Sequence, residues 1–193
     1  MTDPRRGDWM ITASGRRFYP LDPRPEDLAW GDVAHHLARL CRYGGAVAGW
    51  YSVAEHSCLM ADWFLARGDA DNARYALLHD GPEFAIQDVI RPLKPELPDF
   101  KRIEAPIERM MLVAAGLEPA LPDAIKKADT LIIGDERQQL FAADTLARAG
   151  WVFDGTLGVQ CQQWERDQAC NEWLQRFEAL FPAAALMRRN SNG

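Results

Sequence analysis

The 193-residue chain predicts an all-α fold: about six helices packed as one domain behind an extended N-terminal arm. Three observations carry that expectation. From residue 27 onward, apolar side chains recur at three- and four-residue intervals, the spacing that lines one face of a helix. Those stretches stop at Gly44-Gly45, Gly68 and Gly116, and glycine closes a helix at little steric cost. No internal repeat or long linker divides the chain, which is long enough for one substantial core.

Residues 1–25 carry Pro4, Pro20, Pro23 and Pro25 with Gly7 and Gly15, and read as an extended arm with a short hairpin around Ser14-Gly15. The first helix is expected over 27–42, with Leu28, Val33, Leu37, Leu40 and Cys41 near one stripe. Ser52-Val53-Ala54-Glu55 fits a capping box and opens the second, whose face holds Val53, His56, Met60, Trp63 and Phe64. The third runs from about Ala70 to His79. Pro82, Pro92, Pro95 and Pro98 leave residues 82–98 a short helical piece and a loop. The fourth helix is expected over 99–115, the fifth from after Pro122 to about Arg148, and the sixth over 160–180. The domain therefore spans 26–182, followed by a frayed tail at 183–193. Trp164 and Trp173, nine apart on the last helix, are candidates for a dimer contact.

Hydrophobic residues make up 48% and charged residues 26%, the balance of an ordinary globular protein. A net charge of -6 and a pI near 5.2 argue against a nucleic-acid polymer as partner, which needs a basic face. A small anion is not excluded, because a metal and a few local cations can hold phosphate. Cys41, Cys58, Cys161 and Cys170 form no C-x-x-C pair, so no zinc ribbon or thioredoxin-like motif is expected. The polar start MTDPRRGDWM and the lack of a long apolar run predict no signal peptide, no membrane span and a cytoplasmic protein with reduced thiols.

The chemistry concentrates in four residues. His79-Asp80 sits where Gly81-Pro82 end a helix, and a bent helix end lets adjacent side chains aim at one point, which they rarely do on a regular helix. His56 lies upstream in the apolar stripe of the second helix. Asp129 lies on the apolar face of the fifth, between Ile125 and Ile132-Ile133. Alone, His56 reads more often as a half-buried structural residue, and Asp129 as a partner for either a metal or an arginine. Together, two imidazoles and two carboxylates suit a divalent ion of the Mn, Fe, Co or Ni type. His35 and His36 read as structural or surface residues.

The order His56, His79-Asp80, Asp129 resembles the HD-domain metal-dependent phosphohydrolases. It is most similar to the bacterial 5'-deoxynucleotidases and the phage deoxynucleoside triphosphate (dATP) triphosphohydrolases. The narrower likeness is carried by Arg42-Tyr43, the strings SVAEHS and HDGPEFAIQD, and Arg91-Pro92-Leu93-Lys94, and it covers roughly residues 30–140. The resemblance implies a helical HD domain with one divalent metal per chain (Mn, Co, Fe, Ni or Zn, with Mg as an alternative) on His56, His79, Asp80 and Asp129. It makes Glu83 and Asp88 the acid-base carboxylates, Glu83 orienting water and Asp88 moving the proton of the leaving oxygen, with the division open. Arg42 matches a phosphate-binding arginine, and Tyr43 an aromatic beside sugar or base. Lys94 is a second phosphate contact. Gly44-Gly45 replace bulkier residues and imply a roomier pocket.

The implied function is hydrolysis of a 5'-deoxynucleoside monophosphate to nucleoside and phosphate by a homodimer. The alternatives are a triphosphohydrolase that releases triphosphate, with Arg91, Lys94 and Lys101 as further phosphate contacts, and a non-catalytic nucleotide-sensing module. A cyclic-nucleotide or guanosine tetraphosphate hydrolase ranks behind these.

Overall fold

The computed structural model describes residues 4–152 and 154–185. The chain is mostly helical, with one two-stranded sheet among the described residues. That sheet is the hairpin expected at Ser14-Gly15: β1 (Met10–Ile11) pairs antiparallel with β2 (Arg17–Phe18). The arm is docked rather than loose. Asp32 of α1 (Trp30–Leu37) accepts from the Thr12 hydroxyl at 2.7 Å, the Ser14 N–H at 2.8 Å and the Ser14 hydroxyl at 2.7 Å. Phe18 is buried, edge-on to Phe84 at 4.7 Å.

The first helix is shorter than the expected 27–42. Its continuation leaves the helix because Val53 donates to the Leu40 carbonyl and Arg42 to the Tyr51 carbonyl. That pairing turns Arg42 and Tyr43 toward the centre, with Tyr43 in the left-handed region at φ 59°. The core of the bundle is α2 (Val53–Leu65) against α3 (Ala70–Leu78), with α8 (Arg166–Leu180) across α1, α2 and α3. Ser52 caps α2 by accepting the Glu55 N–H at 3.1 Å. Only that half of the capping box forms, since the Glu55 carboxylate reaches residues 162–164 instead. After α4 (Glu83–Ile86) come α5 (Pro98–Ala114) and α6 (Asp123–Leu140).

The fifth expected helix is two. The backbone turns extended at Phe141 and Ala142, and α7 (Ala143–Ala149) follows. The break lets the Phe141 ring meet Tyr43 and Trp151, each edge-on. Residues 156–165 are not helical either. They form an extended strap whose backbone is held by side chains: Asp135 takes the Leu157 N–H at 2.6 Å and the Gly158 N–H at 3.1 Å. Gln139 takes the Cys161 N–H at 2.9 Å, and Glu55 the N–H groups of Gln162, Gln163 and Trp164 at 2.6, 2.9 and 2.8 Å. Gly134 allows the close crossing: a Cβ there would lie 2.1 Å from the Gly155 carbonyl oxygen.

Trp164 thus precedes α8 and is partly buried, and Trp173 is fully buried against Phe177, so Trp173 offers no surface for the dimer contact expected of the pair. None of the four cysteines is in a disulfide. No helix among the described residues is long and apolar enough to cross a membrane. Of the expected tail, 183–185 are described, with Ala185 donating to the Phe181 carbonyl, and 186–193 lie outside the described residues.

Candidate metal centre

His56 comes from the first turn of α2, His79 caps the C-terminus of α3, and Asp129 projects from α6. They form a group that can hold a metal ion. Leu78 is the last residue of α3, so Asp80 lies in the turn beyond it and bends back over its neighbour. A side chain at Gly81 would crowd that turn, since its Cβ would fall 2.8 Å from the Leu78 carbonyl oxygen.

The two Nε2 atoms face each other at 3.2 Å. Asp129 Oδ1 is 3.3 Å from His56 Nε2, and Asp80 Oδ2 is 3.3 and 3.6 Å from the Nε2 atoms of His79 and His56. Both rings have their Nδ1 hydrogens engaged elsewhere. His79 Nδ1 donates to the Ala76 carbonyl at 2.7 Å, and His56 Nδ1 to Glu136 Oε1 at 2.6 Å. With Nδ1 donating, Nε2 of each ring faces inward, where it can bind either a proton or a metal ion. Two such nitrogens at that distance, ringed by carboxylates, share one cation between them. This donor set fits a divalent ion.

Sequence reasoning missed Glu136, the anchor of this arrangement. It is fully buried and accepts from His56, from the Tyr43 hydroxyl at 2.5 Å, the Tyr51 hydroxyl at 2.9 Å and Arg42 at 3.4 Å. A carboxylate behind a ligating histidine fixes its tautomer and raises its basicity. The signal was present: Glu136 follows Asp129 by seven residues, two helical turns, on the same apolar face of α6.

The local charges sort the carboxyl groups into two kinds. Burial works against ionising Glu136, but Arg42 and His56 outweigh it and hold its pKa at about 2. Asp129 is likewise held at about 2, with His56 overcoming burial, and Asp80 is driven well below the carboxylate range by His79, His56 and Arg42. Burial and Arg42 oppose a charge on His56, yet Glu136 and Asp129 prevail and its pKa is pushed up to about 9. Glu83, 2% exposed, moves the other way: burial, then the negative charges of Asp80 and Asp88, lift it far above the usual range. Burial also raises Asp88.

A cavity of about 320 Å³ opens onto this group and is lined by Arg42, Tyr43, Asp80, Glu83, Asp88, Lys94 and Asp129, all singled out from sequence. Its size is that of a small-molecule site. Arg42 is engaged more deeply than a free phosphate contact, bridging Asp80 at 3.2 Å and Glu136 at 3.4 Å. Lys94 pairs with Glu83 at 3.4 Å, and Arg91 with Asp129 at 3.1 Å. Lys101 is exposed on α5 and does not line the cavity. His36 is structural, accepting the Ala13 N–H at 3.2 Å while its other nitrogen meets the Phe84 carbonyl at 3.1 Å. Gly44 adopts φ 61°, and a Cβ there would meet Ile90 at an ordinary 3.6 Å, so glycine serves the backbone as much as the space.

No family model matches the chain. It is 35% identical over 129 residues to the uncharacterized protein YfdR of Escherichia coli (strain K12), covering 67% of this chain and 70% of that protein. It is 38% identical over 157 residues to the uncharacterized protein RCAP_rcc00048 of Rhodobacter capsulatus, covering 75% of this chain and 79% of that one.

Proposed function

The chain belongs to the family of YfdR and RCAP_rcc00048, and from its site we propose that it is a metal-dependent phosphohydrolase of the HD-domain type acting on (deoxy)nucleotides. The preferred reaction is conversion of a 5'-deoxynucleoside monophosphate to deoxynucleoside and phosphate. Those relatives bring no activity with them, so the reading rests on the site. One observation carries it: two imidazoles, their Nδ1 hydrogens engaged elsewhere, turn Nε2 atoms toward each other at 3.2 Å beside Asp80 and Asp129 at the floor of a cavity.

His56, His79, Asp80 and Asp129 would hold the metal. When bound, a divalent ion supplies a Lewis acid for phosphate oxygen and lowers the pKa of water. The protein does the rest. Glu136 and the Ala76 carbonyl keep both imidazoles in the ligating tautomer. Arg42 holds Asp80 in place and offsets part of the negative charge that would repel a phosphate. Burial and the charges of Asp80 and Asp88 favour the protonated form of Glu83, which fits it to protonate the leaving oxygen. This favours Glu83 as the acid and leaves Asp88, also at the cavity wall, to orient water. Arg91 and Lys94 draw the phosphate in.

The presence of both Arg91 and Lys94 in the lining also favours a second reading, release of triphosphate from a deoxynucleoside triphosphate. One screen tests both. Nucleoside mono- and triphosphates are incubated with the protein and Mn, Co, Fe, Ni, Zn or Mg, and phosphate is resolved from triphosphate. Metal content is measured in parallel. Metal-loaded protein that releases neither product from any substrate returns the chain to a sensing role.

A further inference from the structure

Part of the cavity wall is unlike the charged part around Glu83 and Lys94. The rings of Tyr43 and Phe141 meet edge-on at 5.4 Å and 84°, and those of Phe141 and Trp151 at 5.2 Å and 83°. Trp151 is 36% exposed, a large aromatic surface left open at the cavity. The Arg137 guanidinium lies 4.3 Å from the Trp151 ring centre. Among the described residues Arg137 makes no ion pair, and its buried Nε has no hydrogen-bond partner. Arg137 follows Glu136 along α6, and Tyr43 donates to Glu136 at 2.5 Å, so the wall is continuous with the metal centre.

Open aromatic faces take up a flat ring by stacking. The polar side chains beside them mostly donate: arginine and the indole N–H have no acceptor, while the Tyr43 hydroxyl, its hydrogen held by Glu136, keeps only a lone pair to offer. A ring read by the guanidinium must present acceptors to it. A 6-oxopurine offers two adjacent ones, N7 and O6, at the spacing of a guanidinium fork, on the edge where adenine places an amino group.

We propose that this wall receives the base of the substrate and that Arg137 reads its edge, selecting a 6-oxopurine such as guanine. The inference rests on the nucleotide reading above and names its substrate class. The terminal nitrogens of Arg137 reach the base edge, and the base packs on the open ring surface of Trp151 beside Phe141.

The test is calorimetric binding of 2'-deoxyguanosine, 7-deaza-2'-deoxyguanosine and 2'-deoxyadenosine to the full chain. Deoxyguanosine should bind about tenfold more tightly than the other two, the order of effect of one bidentate contact. Arg137→Met should erase that gap, and Trp151→Ala should weaken all three. Equal affinity of the unaltered protein for the three nucleosides, no binding of any, or a gap that survives Arg137→Met overturns the proposal. The wild-type comparison needs no variant to fold. Because nucleosides carry no phosphate, a guanine preference without hydrolysis sinks the hydrolase reading alone. Hydrolysis with equal kcat/KM for all bases sinks this one alone.

Discussion

Glu55 and Asp135 are buried like Glu136, yet burial leaves the first two with raised pKa values while Glu136 is lowered to about 2. Their partners differ. Glu55 and Asp135 are wrapped by backbone N–H groups of the strap at 157–164. Glu136 faces Arg42 and His56. Amide dipoles satisfy the lone pairs of a buried carboxylate without fully offsetting the loss of hydration, whereas formal opposite charges do. The strap uses acids to fasten the chain. The metal centre uses them to gather cations, and that surplus of negative charge is what leaves room for an ion.

The sharpest way to break this contrast is Asp80→Ala. It should reduce hydrolysis to the buffer background and deplete metal while the far-ultraviolet circular dichroism stays unchanged. Retained turnover in metal-replete buffer removes Asp80 from the metal. Glu136→Gln should weaken metal binding by roughly 10- to 100-fold, because the ring of His56 loses its charged anchor. Competition with a colorimetric chelator measures this. Glu55→Ala should spare metal affinity yet cost on the order of 1–3 kcal/mol by stranding three N–H groups. Thermal unfolding would then fall by several degrees, and an equal loss of metal would dissolve the distinction.

The effect of pH separates the two sets more finely. Glu136 is depressed from 4.5 to about 2, so its contribution is present above pH 4.5 and lost as pH falls toward 2. His56 is raised from 6.5 to about 9, so its contribution is full below 6.5 and lost as pH climbs through 9. Chelated protein should unfold at its highest temperature between those limits. Added metal replaces the proton on His56 and should flatten the alkaline limb, and a limb that stays equally steep with saturating metal argues against His56 as a ligand. The effect least felt at the metal centre is that of Gly134→Ala, which forces a Cβ against the Gly155 carbonyl and costs about 1–3 kcal/mol of stability while metal affinity stays unchanged.

Helical spacing made most of the bundle readable, and the ends that glycine or proline mark fall near their expected places. The exceptions share a cause. The early end of α1, the break at Phe141 and the extended strap are each imposed by partners far along the chain: Tyr51 for Arg42, Tyr43 for Phe141, Glu55 for residues 162–164. Local periodicity carries no record of them. The same holds at the site. Asp129 stood out because a carboxylate on an apolar face demands a partner, His79-Asp80 because the pair sits at a helix end, and His56 only in combination with them. Glu136 obeys the same rule two turns beyond Asp129. Arg137 and Trp151 gave no such sign, since an arginine on a helix and a tryptophan in a loop are ordinary until their ring contact is seen.

The segment from Phe141 to Trp151 leaves α6 at one end and enters the strap at the other, and it supplies no ligand to the ion. Under the proposed reading, part of the base contact and the candidate metal ligands lie on separable pieces of polypeptide, so Phe141 and Trp151 offer handles on selectivity that leave every ligand in place.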